Sequence, residues 1–146
     1  PQLLRCACYP GAVRTPPLKV ARADEPAYPT HWEAVVTAMG CGTMDGNYKT
    51  DCCGASLALT EQGIVDDLVI RILTDAKACG AQAVSVACPL CQVNLDGRQT
   101  QIMRTQKDWQ PIPVIFLSQH VGHAAGLSDK EPGPQKHLID VMEVMA

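Results

Sequence analysis

Short continuous runs of apolar residues alternate along the chain with segments in which apolar residues recur at helical spacing. The short runs end at proline, glycine or polar residues, which predicts buried strands. These strands are 3–9, 83–87 and 113–117, and we expect a further short strand at 43–48. Apolar residues spaced three to four apart predict helices between them. The predicted helices are 30–39, 64–79, 88–104, 118–127 and 135–145, and the proline-rich segment 16–29 predicts a loop.

The order of these elements predicts the fold class. Strands that alternate with helices form βαβ units with right-handed crossovers and a parallel sheet. A chain of 146 residues predicts one domain. We therefore expect a single α/β domain over 1–146, a Rossmann-like layered domain with a short, about four-stranded, mainly parallel sheet flanked by helices. The most clearly predicted helix, 64–79, should bury a face along Ile64, Leu68 and Ile72, and four further residues widen that face: Val65, Val69, Leu73 and Ala76.

Cysteines lie at or just after the ends of three of the predicted strands. In open parallel sheets, ligands bind beyond the carboxyl ends of the strands. The pattern therefore predicts that these thiols converge on one site. The three groups are Cys8 in the first strand, Cys52 and Cys53 after the second, and Cys88 and Cys91 after the third.

Composition narrows the functional classes. Lys and Arg total 12 against 15 Asp and Glu, a net charge of −3, which excludes a strongly basic nucleic-acid-binding footprint. No apolar run is long enough to span a membrane, and the first nine residues lack the apolar core of a secretory signal. We therefore expect a cytoplasmic protein. The eight cysteines do not indicate a disulfide framework, because such frameworks belong to small secreted chains.

The spacing of the cysteines suits a metal. The C-x-x-C pair at Cys88 and Cys91 presents two sulfurs to one ion and opens a helix, whose positive end favours thiolates. Adjacent Cys52 and Cys53 cannot chelate one tetrahedral ion without strain, but they can bind neighbouring irons of a cluster. The pair at Cys88 and Cys91 alone would equally fit a metal-free dithiol oxidoreductase.

Two blocks of the sequence carry a family resemblance. YKTDCCGASLALT at 48–60 and ACPLCQVNLDGRQ at 87–99 resemble the CCG (cysteine-rich) domain of the B subunit of heterodisulfide reductase, specifically its C-terminal copy. Such subunits carry two tandem CCG domains, so the chain resembles the C-terminal half of one. The 34 residues between Cys53 and Cys88 are one fewer than the family spacing.

The resemblance implies a cofactor and its ligands. The family's catalytic cluster is a noncubane [4Fe-4S] assembly on five cysteines, and the matching residues here are Cys52, Cys53, Cys88 and Cys91. The fifth position, after a glycine near the first strand, is Ala12 in this chain. Either Cys8 substitutes as a ligand or the cluster has one ligand fewer. An ordinary cubane cluster, or zinc, is then the alternative.

The resemblance also implies a function. It is thiol–disulfide chemistry, with disulfides reduced or formed by Cys52, Cys53, Cys88 and Cys91 as the catalytic cysteines. A ferredoxin-like iron–sulfur subunit and a flavin subunit would be the partners, and a thiol or disulfide the substrate. The alternative is a non-catalytic electron-relay or zinc-binding module of a larger redox complex.

The remaining candidates have simpler interpretations. We expect Gly54 to supply a positive φ or a close approach to the cluster. Cys41 and Cys79 should be structural thiols, and Cys6 should pack on the side of the sheet opposite Cys8. We expect His120 and His123 to be a solvated or hydrogen-bonded pair. Lys49 and Arg98 flank the cysteine blocks, where they are either simple surface residues or charged neighbours of the cluster or substrate. Gln92 and Asn94 are candidate hydrogen-bond donors to the cluster sulfurs.

Overall fold

A four-stranded, all-parallel sheet organises the computed structural model, which describes residues 4–11, 29–128 and 133–145. The order across the sheet is β2-β1-β3-β4, with every pair of neighbours parallel. The predicted α/β class and the strand number are confirmed. The strands are β1 (Arg5–Tyr9), β2 (Gly42–Met44), β3 (Ala83–Val86) and β4 (Val114–Phe116).

The second strand is shorter than predicted because the chain turns after Met44. The carboxylate of Asp75 accepts hydrogen bonds from the backbone N–H of Asn47 at 2.6 Å and from its side-chain amide at 2.9 Å. These bonds fasten the segment to a neighbouring helix instead of continuing the strand ladder. The segment before the adjacent cysteines is therefore a turn.

Helices pack on both faces of the sheet. The 3₁₀ turns Ala55–Leu57 and Pro134–Lys136 accompany them. No helix in the described ranges is both long enough and apolar enough to cross a membrane. The helices are α1 (His31–Ala38), α2 (Gln62–Ala78), α3 (Pro89–Thr105), α4 (Leu117–Ala124) and α5 (Met142–Met145).

The predicted terminal helix at 135–145 is wrong. The buried carboxylate of Asp96 accepts the backbone N–H groups of Leu138 at 2.8 Å and Ile139 at 3.2 Å, which pulls this segment out of helical geometry. Asp140 then accepts the N–H of Met142 at 2.8 Å, where α5 begins. Long-range hydrogen bonds thus override the local apolar spacing.

The larger hydrophobic core lies between the sheet and helices α2 and α3. The buried face of α2 is rotated from the predicted one: Ile64 is 53% exposed, while Ile72 is buried. Its other buried residues are the four that were expected to widen the face: Val65, Val69, Leu73 and Ala76. A smaller core lies on the second face of the sheet and includes Trp32 and Val36 of α1 and Val141.

Both Cys6 and Cys8 point into this smaller core. The expectation that they would lie on opposite sides was wrong, because residues two apart in a strand face the same side. Their neighbours Ala7 and Tyr9 face the larger core.

The strand order reverses between β1 and β3, which both lie in the middle of the sheet. Tyr9 at the end of β1 is in register with Val86 at the end of β3. A crevice beyond the carboxyl ends of two such strands is the usual ligand site of an open parallel sheet.

Candidate functional site

Four cysteines gather beyond the carboxyl ends of β1 and β3. Cys53 and Cys91 are buried, with 2% and 8% of their surface exposed, while Cys52 is exposed and Cys88 is half-buried. Cys88 is the N-cap residue of α3 and Cys91 lies in its first turn, so the helix supplies the C-x-x-C pair. Two segments distant in sequence, one at 52–53 and one at 88–91, therefore meet at this end of the sheet.

The closest contact between the two segments joins sulfur to sulfur. The Sγ atoms of Cys53 and Cys91 lie 3.6 Å apart. Two thiolates bound tetrahedrally to one metal at about 2.3 Å lie about 3.8 Å apart. The separation in this chain therefore matches that of sulfurs that share a metal centre, and thiolates are the ligands of iron–sulfur clusters and zinc.

Gly54 fixes the turn that follows the adjacent cysteines. Its φ is +75°, in the left-handed region, as expected from the sequence. A Cβ there would lie 2.9 Å from Cδ1 of Leu68 and 3.3 Å from Cγ2 of Val65. The close approach is thus to α2 and not to the thiols. The N–H of Gly54 also donates to Sγ of Cys52 at 3.4 Å.

Two side chains hold the segment 51–53 in place. The amide of Asn94, buried on α3, donates to the carbonyl oxygen of Cys53 at 2.8 Å. The hydroxyl of Tyr9, which is 2% exposed, donates to the carbonyl oxygen of Asp51. These bonds fasten the loop to the helix that carries Cys91 and to the strand that ends at the site.

The two buried thiols differ strongly in acidity. The sulfur–sulfur hydrogen bond with Cys91 lowers the pKa of Cys53 to about 6, against the opposing effect of burial, and bonds from the Ala55 N–H and Asn94 assist. The same contact, together with burial, raises the pKa of Cys91. The contact therefore makes Cys53 the more acidic thiol of the pair. Burial and the neighbouring thiols also raise the pKa of Tyr9.

A glycine also lies close to Cys91. Gly11 has a φ of +73°, and a Cβ there would lie 3.2 Å from Sγ of Cys91. The backbone of Gly11 therefore approaches this thiol more closely than a residue with a side chain could. The donor set of four thiols fits a metal or an iron–sulfur cluster. Sequence reasoning missed Tyr9 and Gly11, although both directly precede or follow the Pro10 turn at the end of the first strand.

The structure does not bring Cys8 to the other four cysteines. Cys8 belongs to the smaller core, on the opposite face of the sheet from Cys53 and Cys91. Burial raises its pKa to about 12. Ala12, the residue at the family's fifth ligand position, lies outside the described residues. Within the described ranges, four of the five predicted ligand cysteines lie at this end of the sheet.

The charged and amide side chains that flank the cysteine segments contact other protein groups. Lys49 is buried and pairs with Glu33 at 2.8 Å and Asp45 at 3.4 Å. Arg98 pairs with Asp66 at 3.3 Å and donates to the carbonyl of Ala58, which supports the turn after the cysteine pair. The predicted sulfur donor Gln92 instead places its amide nitrogen 3.3 Å from Nδ1 of His137. Asn94, by contrast, does help to lower the pKa of Cys53.

One residue of the histidine pair differs from expectation: His123 is exposed, as expected, but His120 is buried. His120 is only 5% exposed, and burial lowers its pKa to about 4. In the described part of the chain its Nε2 atom has no hydrogen-bond partner, so this nitrogen is neither solvated nor hydrogen-bonded there. Its position three residues before His123 gave no signal of burial, because the surrounding helix is short and mixed in polarity.

Comparisons with known proteins agree with the thiol arrangement. The family model for the cysteine-rich domain named CCG matches residues 17–96. The chain is 29% identical to the 8-methylmenaquinol:fumarate reductase membrane anchor subunit of Wolinella succinogenes, over 97% of the chain and 50% of that protein. It is 28% identical to the B subunit of the ferredoxin/F(420)H(2)-dependent CoB-CoM heterodisulfide reductase of Methanosarcina acetivorans, over 98% and 48%. It is 26% identical to the B subunit of the ferredoxin:CoB-CoM heterodisulfide reductase of Methanosarcina mazei, over the same shares.

The chain spans about half the length of these relatives. The matched region includes both cysteine segments, 52–53 and 88–91. The resemblance to the B subunit of heterodisulfide reductase is therefore confirmed. Since the family model covers more than half of its residues, the chain belongs to the CCG family of cysteine-rich domains.

Proposed function

We propose that the chain is the cluster-binding part of a heterodisulfide reductase-like oxidoreductase, with Cys52, Cys53, Cys88 and Cys91 as ligands of a [4Fe-4S] cluster. The family and the relatives support a redox role of iron–sulfur type. The observation that carries the proposal is that four cysteines from two distant segments meet beyond the strand ends where the strand order reverses, with the sulfurs of Cys53 and Cys91 in contact at 3.6 Å. Four cysteine thiolates are the ligand set of a [4Fe-4S] cluster.

Disulfide reduction suits this arrangement. A disulfide takes up two electrons, and a bound cluster supplies electrons one at a time. Cys53 and Cys91 are buried in the protein interior, while Cys52 is exposed to solvent and Cys88 is half-buried. A substrate sulfur would therefore approach from the side of Cys52 and Cys88.

A cleft next to α3 offers space for the rest of a thiol or disulfide substrate. Its volume is about 380 Å³, and it is lined by Gln92, Phe116, Lys136 and His137 among others. Gln92 directly follows Cys91, so the cleft begins at the same helix end as the C-x-x-C pair. Lys136 is exposed there, and its ammonium group would attract an anionic substrate.

Partner subunits are part of the proposal. The relatives are named as subunits, and a ferredoxin-like iron–sulfur subunit would deliver electrons from a flavin subunit. Large apolar side chains are exposed beside the cysteine segments: Leu59 at 93%, Leu90 at 68% and Val93 at 68%. Exposed apolar patches of this kind are typical of protein contact surfaces. We propose that the electron-donating partner binds on this side of the domain. We also propose that the complex is cytoplasmic.

A non-catalytic electron relay is the second candidate. It is favoured by the position of Cys8 in the smaller core, which leaves four cysteines for the cluster within the described residues. Four thiolates suit an ordinary cubane cluster or zinc. Ala12→Cys restores the cysteine at the family position and should then raise the iron content.

Electron paramagnetic resonance of the oxidised, anaerobically prepared protein separates these candidates. A signal that changes when a thiol is added would support disulfide chemistry at the cluster. An iron signal that appears only after one-electron reduction, because an oxidised [4Fe-4S] cubane is EPR-silent, and that does not change with thiol would support the relay. One zinc and no iron, in protein kept anaerobic throughout, would contradict both forms of the iron–sulfur proposal. Cys79→Ser is the matched control, because Cys79 is a partly buried thiol bonded to the carbonyl of Ala76, away from the site.

A further inference from the structure

We propose that Cys6, Cys41 and His120 form a second metal site, for zinc, on the face of the sheet opposite the CCG cysteines. Cys6 lies on β1, Cys41 directly precedes β2, and His120 lies on α4. The two sulfurs and a ring nitrogen of His120 all lie within 4.8 Å of one another. Three ligand atoms from three separate segments therefore converge on one point.

This cluster is buried, and one of its polar atoms lacks a partner. Cys6 is 0% exposed, Cys41 is 9% exposed and His120 is 5% exposed. Within the described residues, Nε2 of His120 makes no hydrogen bond. Buried polar atoms in native proteins are almost always satisfied, and a bound ion is one explanation for an atom that is not.

A second unsatisfied atom lies on the same face. Ser85 of β3 is fully buried and its hydroxyl makes no hydrogen bond within the described ranges. Ser85 is in register with Cys8 on the adjacent strand, and Cys8 shares the smaller core with Cys6 and Cys41. This core thus collects thiols and unsatisfied polar atoms where an ordinary core would have aliphatic side chains.

The donor set favours zinc. Two thiolates and an imidazole are ligands that zinc prefers, and zinc completes a tetrahedron with a fourth ligand. Cys8 lies in the same core but does not belong to the group whose ligand atoms lie within 4.8 Å of one another. The three ligand atoms lie within 4.8 Å of one another, and sulfurs bound tetrahedrally to zinc lie about 3.8 Å apart. The ligand atoms therefore need to move by at most about 1 Å to bind one zinc ion.

The site would act as a structural clamp. Its three residues join β1, the connection between α1 and β2, and α4, which together cover the second face. The core on this face contains eight buried residues in the described ranges, against fifteen in the core under α2 and α3. A small core gains most from a metal that adds its binding free energy to folding. This proposal does not depend on the function proposed for the CCG cysteines.

Zinc and cobalt binding test the proposal in the full chain with its thiols reduced. The background is the double variant Cys52→Ser, Cys88→Ser, because these two CCG residues are the less buried ones and their loss reduces the competing four-thiol site to the pair Cys53 and Cys91. We expect about one zinc per chain to remain in this variant. Cobalt in place of zinc should show sulfur-to-metal charge-transfer bands and the visible absorption of a tetrahedral site.

His120→Gln and Cys41→Ser in that background should weaken zinc binding by at least roughly 10–100-fold. Cys79→Ser, which changes a thiol outside the cluster, should leave binding unchanged. So that a poorly folding variant does not mask the result, the thermal unfolding midpoint of the background variant is measured with and without added zinc. We expect a clear increase with zinc. No zinc-dependent increase and no cobalt–sulfur band would overturn the proposal, as would a Cys6–Cys41 disulfide in protein prepared under reducing conditions.

Discussion

Replacing Gly54 with alanine tests how closely the turn after the cysteine pair packs on α2. The left-handed backbone at φ +75° costs an alanine about 1–2 kcal/mol. The new Cβ would lie 2.9 Å from Cδ1 of Leu68 and 3.3 Å from Cγ2 of Val65, and such overpacking costs about 1–3 kcal/mol. We therefore expect Gly54→Ala to lower the free energy of unfolding by about 2–5 kcal/mol.

Gly126→Ala is the matched control. Gly126 has nearly the same backbone, with φ +74°, but no atom of the described residues lies within 4 Å of its added Cβ. The backbone cost and the effect on the unfolded chain are then the same in both variants and cancel in the difference. Urea unfolding of the reduced, metal-free protein should show Gly54→Ala less stable than Gly126→Ala by about 1–3 kcal/mol.

A second substitution checks whether overpacking causes the difference in stability between Gly54→Ala and Gly126→Ala. Leu68→Ala removes the atom nearest to the new Cβ, so the double variant should be more stable than the sum of the two single effects predicts. If Gly54→Ala and Gly126→Ala cost the same within about 0.5 kcal/mol, the packing argument for this turn is refuted.

Three further substitutions test the fold and the support of the site. Asn94→Ala leaves the carbonyl of Cys53 without its 2.8 Å bond and should cost about 1–3 kcal/mol in urea unfolding; a cost near zero would mean that the bond does not hold the loop. Gln99→Leu removes two bonds of 2.9 Å that join this fully buried amide to the backbone N–H and C=O of Ile112, and should cost about 2–4 kcal/mol by the same assay; an equally stable variant would contradict that role. Burial lowers the pKa of His137, so the unfolded chain binds a proton more readily and stability should fall as pH drops below about 6.5; His137→Gln should weaken this dependence, and an unchanged pH profile would contradict the assignment.

Much of the sheet could be predicted from the sequence because its strands are short buried runs. Segment 83–87 lies between turn signals and has the β-branched residues of a central strand, and β3 is found there. The terminal helix could not be predicted, because the hydrogen bonds from Asp96 to Leu138 and Ile139 join residues more than forty positions apart. The local spacing of apolar residues gives no information about contacts between segments that are distant in the sequence.

Part of the candidate site could likewise be predicted from the sequence, and part could not. The C-x-x-C pair and the adjacent cysteines have a spacing that indicates metal chemistry, and the parallel sheet predicts where strand ends meet. The hydrogen bond from Tyr9 to Asp51 and the close approach of Gly11 to Cys91 join the end of β1 to segments that are distant in the sequence. The cluster of Cys6, Cys41 and His120 comes from three segments with no spacing motif, so only the folded arrangement reveals it.

The most direct test of the central claim is the iron content of the anaerobically prepared chain. We expect about four irons per chain in the wild type. The double variant Cys52→Ser, Cys88→Ser should hold little iron, while Cys79→Ser should match the wild type. Iron bound equally well in all three proteins, or no iron in wild-type protein whose thiols are all reduced, would contradict the assignment of these four cysteines as cluster ligands.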